Sequence, residues 1–443
     1  MRSVMVRCGG VVWCALAVLL ASGPGTAVLA GTKPMSGAAE VTREGNSVAG
    51  VMAAFAAERR TAMTEAADRE EIAVPSDYDE LLTAIEAGDW PSAANRFEQI
   101  KVQMGQHKDG PSDSAAYKAL WQYVLEAAGA FEQAALWTPE LLHLYAEEVM
   151  GAIPPGAVYF GGTAPGRFVI TAYRTVLNRP FHVIAQIELA EPSYMDFLRD
   201  TVGQELDLPS PEDCTRIVQR HVEEVQTGGM PAAPGVTIKD GRISASGIHG
   251  VMMINGILSQ MIFDRNKAAH EFYVDESYVI PWMYPYLEPS GPIMRLRAQP
   301  RKLSPETIAE DRTYWDDLEG RLKQVPAFAE SEAAQQTFSK LRSAVGGVYE
   351  YWRLRSEAEY AFQQALRLYP DSPEACFRYA QHLVQRELYE EAMDVLSAFI
   401  QRDPGNDTAR GYLDHVRSLH ELAPRRTTIE GVPPDEVPQE EAQ

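Results

Sequence analysis

The chain has 443 residues and a formal charge of −22 at pH 7, from 62 acidic and 40 basic side chains. That balance, with no long run of lysine and arginine to offset it, argues against a protein that meets nucleic acid or anionic lipid through a basic face. Only 4 cysteines in such a length exclude a disulfide framework, so the chain relies on burial and is long enough for about two or three cores.

At the amino end Met1 to Arg7 carries two arginines, Gly9 to Ser22 is apolar, and Val28-Leu29-Ala30 has the small-residue pattern of a cleavage site. This predicts a signal peptide over residues 1–30. The apolar run is about 14 residues, below the roughly 18 to 20 that span a bilayer. The expectation is therefore an exported protein of the periplasm or cell envelope, with an uncleaved membrane anchor as the alternative. Cleavage leaves Cys214 and Cys376. Residues 31–75 read as a flexible leader followed by an alanine-rich, charged helix from Val51 to Ile72.

From 76 to 150 the pattern becomes helical. Leu81, Leu82 and Ile85, a Gly88-Asp89-Trp90 turn, then Ala93, Phe97 and Ile100 predict a hairpin of two helices. A second hairpin is expected from Ala115 to Ala128 and Phe131 to Trp137; the Ala93-to-Phe97 spacing resembles that of a tetratricopeptide (TPR) repeat, so the region reads as TPR-like, with generic helical packing as the alternative. Over 151–302 the period changes. Ala157 to Phe160 and Phe181 to Ile187 read as strands, Arg167 to Leu177 and Tyr194 to Val202 as helices, which predicts a small α/β unit with parallel pairing. Pro211 to Gln226 is a further helix, Gly250 to Phe263 a buried one, and Arg242 to Ser246, Glu271 to Val274 and Ile293 to Leu296 are short strands. Ser304-Pro305-Glu306 opens a bridging helix within 303–335, with serine as cap and proline in the first turn.

Within residues 336–422, Ser339 to Asn406 repeats itself at a period of about 34. Counting from Ser339 gives Gly346, Tyr349, Ala358, Phe362, Ala365 and Pro370; counting again from Pro373 puts Ala380, Leu383, Ala392, Leu396, Phe399 and Pro404 in the same places. Small residues let two helices approach, large ones fill the space between them, and proline follows the second helix. The stretch resembles a tandem of tetratricopeptide (TPR) repeats. Asp407 to Leu422 supplies a closing helix, and the acidic, proline-rich tail 423–443 reads as disordered. The fold class expected is thus α plus α/β, multidomain: helical hairpins, a small central sheet domain and a carboxy-terminal α-solenoid.

Ile153 to Phe160 with Gly161-Gly162, and Trp282 to Pro289, resemble a soluble α/β domain appended to bacterial membrane proteins that are similar to protein O-mannosyltransferases and are often followed by TPRs. The chain lacks their multi-span membrane part, where glycosyl transfer would occur, and the acidic residues of their turn. The resemblance therefore does not imply transfer activity here.

Three places could carry chemistry. The turn Gly161, Gly162, Thr163, Gly166, Arg167 lies between a strand and a helix amino end, where backbone N–H groups can cradle an anion such as a nucleotide-sugar phosphate. It departs from a nucleotide P-loop, because Arg167 and Phe168 stand where lysine and a hydroxyl would be. The cluster Asp264, His270, Glu271, Asp275 and Glu276 offers acid–base groups but no metal-ligand spacing, and the surroundings of Ser246 do not form a hydrolase elbow. Tyr278, Trp282, Tyr284 and Tyr286 could form a sugar or peptide platform, or pack beneath the bridging helix. No metal, cofactor or catalytic residue is expected. The TPR resemblance implies a concave groove lined by the first helix of each unit, by Lys340, Ser343, Gly347, Glu350 and Tyr351, then Glu374, Phe377, Gln381, Val384 and Gln385. A protein or peptide would be gripped there by an interaction or assembly scaffold. The alternative is a glycan- or nucleotide-sugar-related enzyme or ligand sensor built on the sheet domain.

Overall fold

The computed structural model describes residues 47–106, 113–226, 236–239, 242–245, 248–276 and 280–427. The expected signal peptide, the leader before residue 47 and the tail beyond Thr427 lie outside the described residues. The chain divides into two compact units, one ending at Thr337 and one beginning at Phe338. Helices predominate in both, and the five-stranded sheet belongs to the first.

Helix α1 (Val48–Arg69) starts at Ser47, whose hydroxyl accepts the Gly50 N–H at 3.1 Å. Its narrow apolar stripe of Val51, Met52, Phe55 and Met63 is buried, so this helix is docked on the body of its unit. Helices α2 (Ser76–Glu86) and α3 (Trp90–Gln106) form the first expected hairpin, turned at Gly88 with φ +69°, a left-handed conformation that glycine adopts without strain. The second expected hairpin is corrected. Helix α4 runs unbroken from Asp113 to Leu136 and packs on α1, α2 and α3 instead of folding back on itself; α5 (Pro139–Gly151) follows, entered at Thr138-Pro139. Gly129 does not break α4. It makes room, since a Cβ there would lie 2.6 Å from the Phe168 ring.

The central elements are β1 (Val158–Gly161), α6 (Ala164–Val176), β2 (His182–Ala185), α7 (Pro192–Val202), α8 (Pro211–Gln226), β3 (Val236–Lys239), β4 (Arg242–Ala245), α9 (Ile248–Asn266), β5 (Phe272–Val274), β6 (Leu287–Ser290) and β7 (Ile293–Leu296). The main sheet has the order β2-β1-β5-β7-β6. Its β2, β1 and β5 are parallel, as expected of strands joined through helices. The other half departs from all-parallel pairing: β7 runs antiparallel to β5 and to β6. A two-residue link at Gly291, φ +62°, can only return the chain as a hairpin. Val158, Tyr159 and Phe160 are fully buried, matching a central strand covered on both faces. Strands β3 and β4 form a separate antiparallel pair.

The aromatic stretch is a short 3-10 turn, Pro281–Tyr286, leading into β6. It packs on α9 rather than beneath the bridging helix. Trp282 and Tyr286 both meet the Phe263 ring at 5.3 Å, and Trp282 Nε1 donates to Ser259 Oγ at 3.2 Å. Tyr278 lies outside the described residues.

The bridging helix is α10 (Pro305–Gln324). Helix α11 (Glu332–Tyr351) carries the chain into the second unit, followed by α12 (Arg355–Leu368), α13 (Pro373–Gln385), α14 (Tyr389–Arg402) and α15 (Asp407–Thr427). The repeating positions form its core. Tyr349, Ala358, Phe362, Ala365, Ala380, Leu383, Ala392, Leu396 and Phe399 are all buried, and Pro370 and Pro404 follow α12 and α14.

Candidate functional site

Three parallel strands deliver their carboxyl ends to one edge of the sheet. Gly162 and Thr163 follow β1, Gln186 and Glu188 follow β2, and Asp275 and Glu276 follow β5. In open α/β sheets this is the edge where ligands bind. Here the anion cradle is filled from within. Asp275 Oδ1 accepts the Gly162 N–H at 2.7 Å, and Oδ2 accepts the Thr163 N–H at 3.1 Å and its hydroxyl at 2.5 Å. Thr163 Oγ1 in turn accepts the Gly166 N–H at 2.9 Å and caps α6. The glycines provide space for this. A Cβ on Gly166 would stand 2.0 Å from Asp275 Oδ2, and one on Gly162 would stand 2.5 Å from Gln186 Nε2.

An open anion site at Gly161, Gly162, Thr163, Gly166 and Arg167 is therefore corrected to a closed turn. A carboxylate of the same chain occupies the donors an anion would use. Arg167 does not serve the turn either. It is buried, ion-paired with Glu188 at 2.6 Å, and reaches Gln122 Oε1 at 3.4 Å. Close by, half-buried Arg59 pairs with buried Glu126 at 2.7 Å, so two ion pairs link α1 to α4 and α6 to the segment after β2. Burial raises the Glu188 and Glu126 carboxyls above the usual range, while the arginines pull them the other way. Burial, reinforced by the Asp275 charge, also pushes the Tyr145 and Tyr159 hydroxyls up.

The remaining acid–base candidates are dispersed. Asp264 pairs with Lys267 at 2.6 Å, His270 Nδ1 lies 2.7 Å from the Gly156 carbonyl, and Glu271 accepts from Tyr273 and Arg295. Among the described residues no three His, Cys, Asp or Glu side chains gather as metal ligands. No described helix is long and apolar enough to cross a membrane.

In the second unit the expected groove residues separate into two groups. Ser343 is buried, with Arg378 Nη1 donating to its carbonyl at 3.2 Å, and Phe377 packs edge-on against Phe399 and Tyr412. These two hold neighbouring helices together. Glu350 pairs with buried His382, and Lys340 is half-buried. Tyr351, Gln381 and Gln385 are exposed, and the two glutamines lie one helical turn apart on α13. The polar joins between helices were not anticipated: Glu350 to His382, Arg386 to Glu359, and Arg342 Nε to Gln364 Oε1 at 2.7 Å. They join side chains on different helices, which a single-helix period does not reveal.

Residues 355–412 match the tetratricopeptide repeat family, so the second unit contains a TPR repeat. Among solved structures the chain is similar to the TPR2AB domain of yeast Sti1 in its complex with pHSP90, at 9% identity and a TM-score of 0.17, over 79% of this chain and 97% of that one. A likeness that remote carries no inference about fold or partner. No curated protein matches the chain.

Proposed function

We propose that the protein is a non-catalytic interaction or assembly protein that holds a protein or peptide partner through the repeat surface of its second unit, and that it acts after export, in the cell envelope. The observation that carries this is the TPR match over α12 to α15 together with the exposed side chains Gln381 and Gln385. A glutamine amide offers both donors and acceptors, as a peptide backbone does, so such a row suits an extended segment. It lacks the lysine and arginine cluster that a receptor for a terminal carboxylate would carry.

The test is affinity recovery from envelope extracts with wild type, Tyr351→Ala and the double change Gln381→Glu with Gln385→Glu. These exposed positions should leave the melting temperature almost unchanged, while recovery of the partner falls. Equal recovery by all three proteins sinks the reading. The envelope assignment rests on the first 30 residues and is checked separately by fractionation and by sequencing the amino end of the purified protein.

A further inference from the structure

We propose that the cleft between α10 and the β5-β7-β6 edge of the sheet binds a neutral, polyhydroxylated molecule of about monosaccharide size. A helix laid over a sheet ordinarily sets an apolar stripe on it. The second half of α10 has such a stripe, with Trp315, Leu318 and Leu322 fully buried. Its first half presents Thr307, Glu310, Asp311 and Tyr314 to the cleft, spaced as one polar helical face. Opposite them, the ladder sets Tyr273 and Glu288 on either side of Arg295, and Arg297 and Ser290 share that face. The two polar surfaces leave about 380 Å³ unfilled between them.

Polar walls around an open gap hydrogen-bond to water, and a ligand that takes the place of that water has to reproduce those bonds. Much of the framework is already fixed. Arg295 pairs with Glu271 at 2.8 Å, Arg297 pairs with Glu288, and the hydroxyls of Tyr273 and Tyr314 donate to Glu271 and Glu148 at 2.8 and 2.7 Å. The charge pattern then selects the ligand. An anion would meet Glu310 and Asp311, and a cation would meet Arg295 and Arg297. A molecule with several hydroxyls meets both, since each hydroxyl donates to a carboxylate and accepts from a guanidinium.

The test is calorimetric titration of the full chain with D-glucose, D-mannose and myo-inositol, with citrate and lysine as charged probes. Saturable binding of at least one neutral polyol is expected, and none of the charged probes. Ser290→Trp, which fills the cleft, should abolish binding, and Thr307→Ala should weaken it roughly three- to tenfold. Thermal melting reports whether each variant is folded, and Thr307→Ala decides the matter if the tryptophan variant is not. Absence of saturable binding by all three polyols, binding unchanged in folded variants, or preference for a charged probe overturns the proposal and leaves the cleft a water-filled gap.

Discussion

Asp275 does at residue scale what a bound anion would do in a nucleotide site, so its removal should be felt as lost stability. Asp275→Ala strips acceptors from two backbone N–H groups and from the Thr163 hydroxyl at once. With charge-assisted bonds and buried donors left unpaired, the cost should be about 3 kcal/mol or more, read from the denaturant midpoint. Gly166→Ala should be similarly severe, because its Cβ would overlap the same carboxylate. A loss below about 1 kcal/mol in either variant would mean that the turn can open. Glu191 behaves differently. Burial, then the nearby Glu188, raises its carboxyl to about 7, above the roughly 4.3 of an unfolded chain. Below pH 4 both states hold the proton and nothing is lost. Between about pH 4 and 7 the unfolded chain gives up the proton that the folded chain keeps, so stability falls over that range and levels off once the folded carboxyl too has ionised. Glu191→Gln should therefore melt higher than wild type at pH 8 and level with it at pH 4; an equal difference at both would point to packing instead.

At the scale of elements, the sequence was readable where a period of small and large residues is enough to specify helix contacts. Gly346 shows how tight those contacts are: a Cβ there would lie 2.6 Å from the Phe362 ring. Two effects compete in Gly346→Ala. Helix propensity returns up to about 1 kcal/mol, while forcing a methyl against a ring enclosed by buried neighbours costs about 1–3 kcal/mol. The ring is fully packed, so the variant should be less stable than wild type. Where glycine served packing rather than a turn, the period misled. Gly129 looks like a boundary between two helices, yet it lies inside α4 so that Phe168 can approach. The closed turn was not legible either. Its defining partner, Asp275, lies 112 residues from Thr163, and no local pattern joins them. Glycine spacing alone looks the same whether the anion is a ligand or the chain's own carboxylate. Likewise Trp282 reads as a platform in the sequence but is committed to Phe263 and Ser259 in the fold.

For the whole molecule, the division at Phe338 implies two cooperative units, and the cysteines provide a way to see them. Cys214 belongs to the first unit and is half-buried, while Cys376 belongs to the second and is fully buried. Burial pushes the Cys376 thiol up to about 12 and raises that of Cys214 as well, so neither is much ionised at pH 8 in the folded chain. Each thiol should react with a maleimide-type reagent chiefly when its own unit opens. Stepwise urea with a short labelling pulse, read by peptide mass spectrometry, then gives a separate midpoint for each unit. Asp275→Ala should shift the Cys214 midpoint and leave that of Cys376 in place, and Gly346→Ala should do the reverse, because neither substitution removes a contact in the other core. Midpoints that move together in both variants would show that the chain unfolds as a single unit and that the boundary at Phe338 has no energetic counterpart.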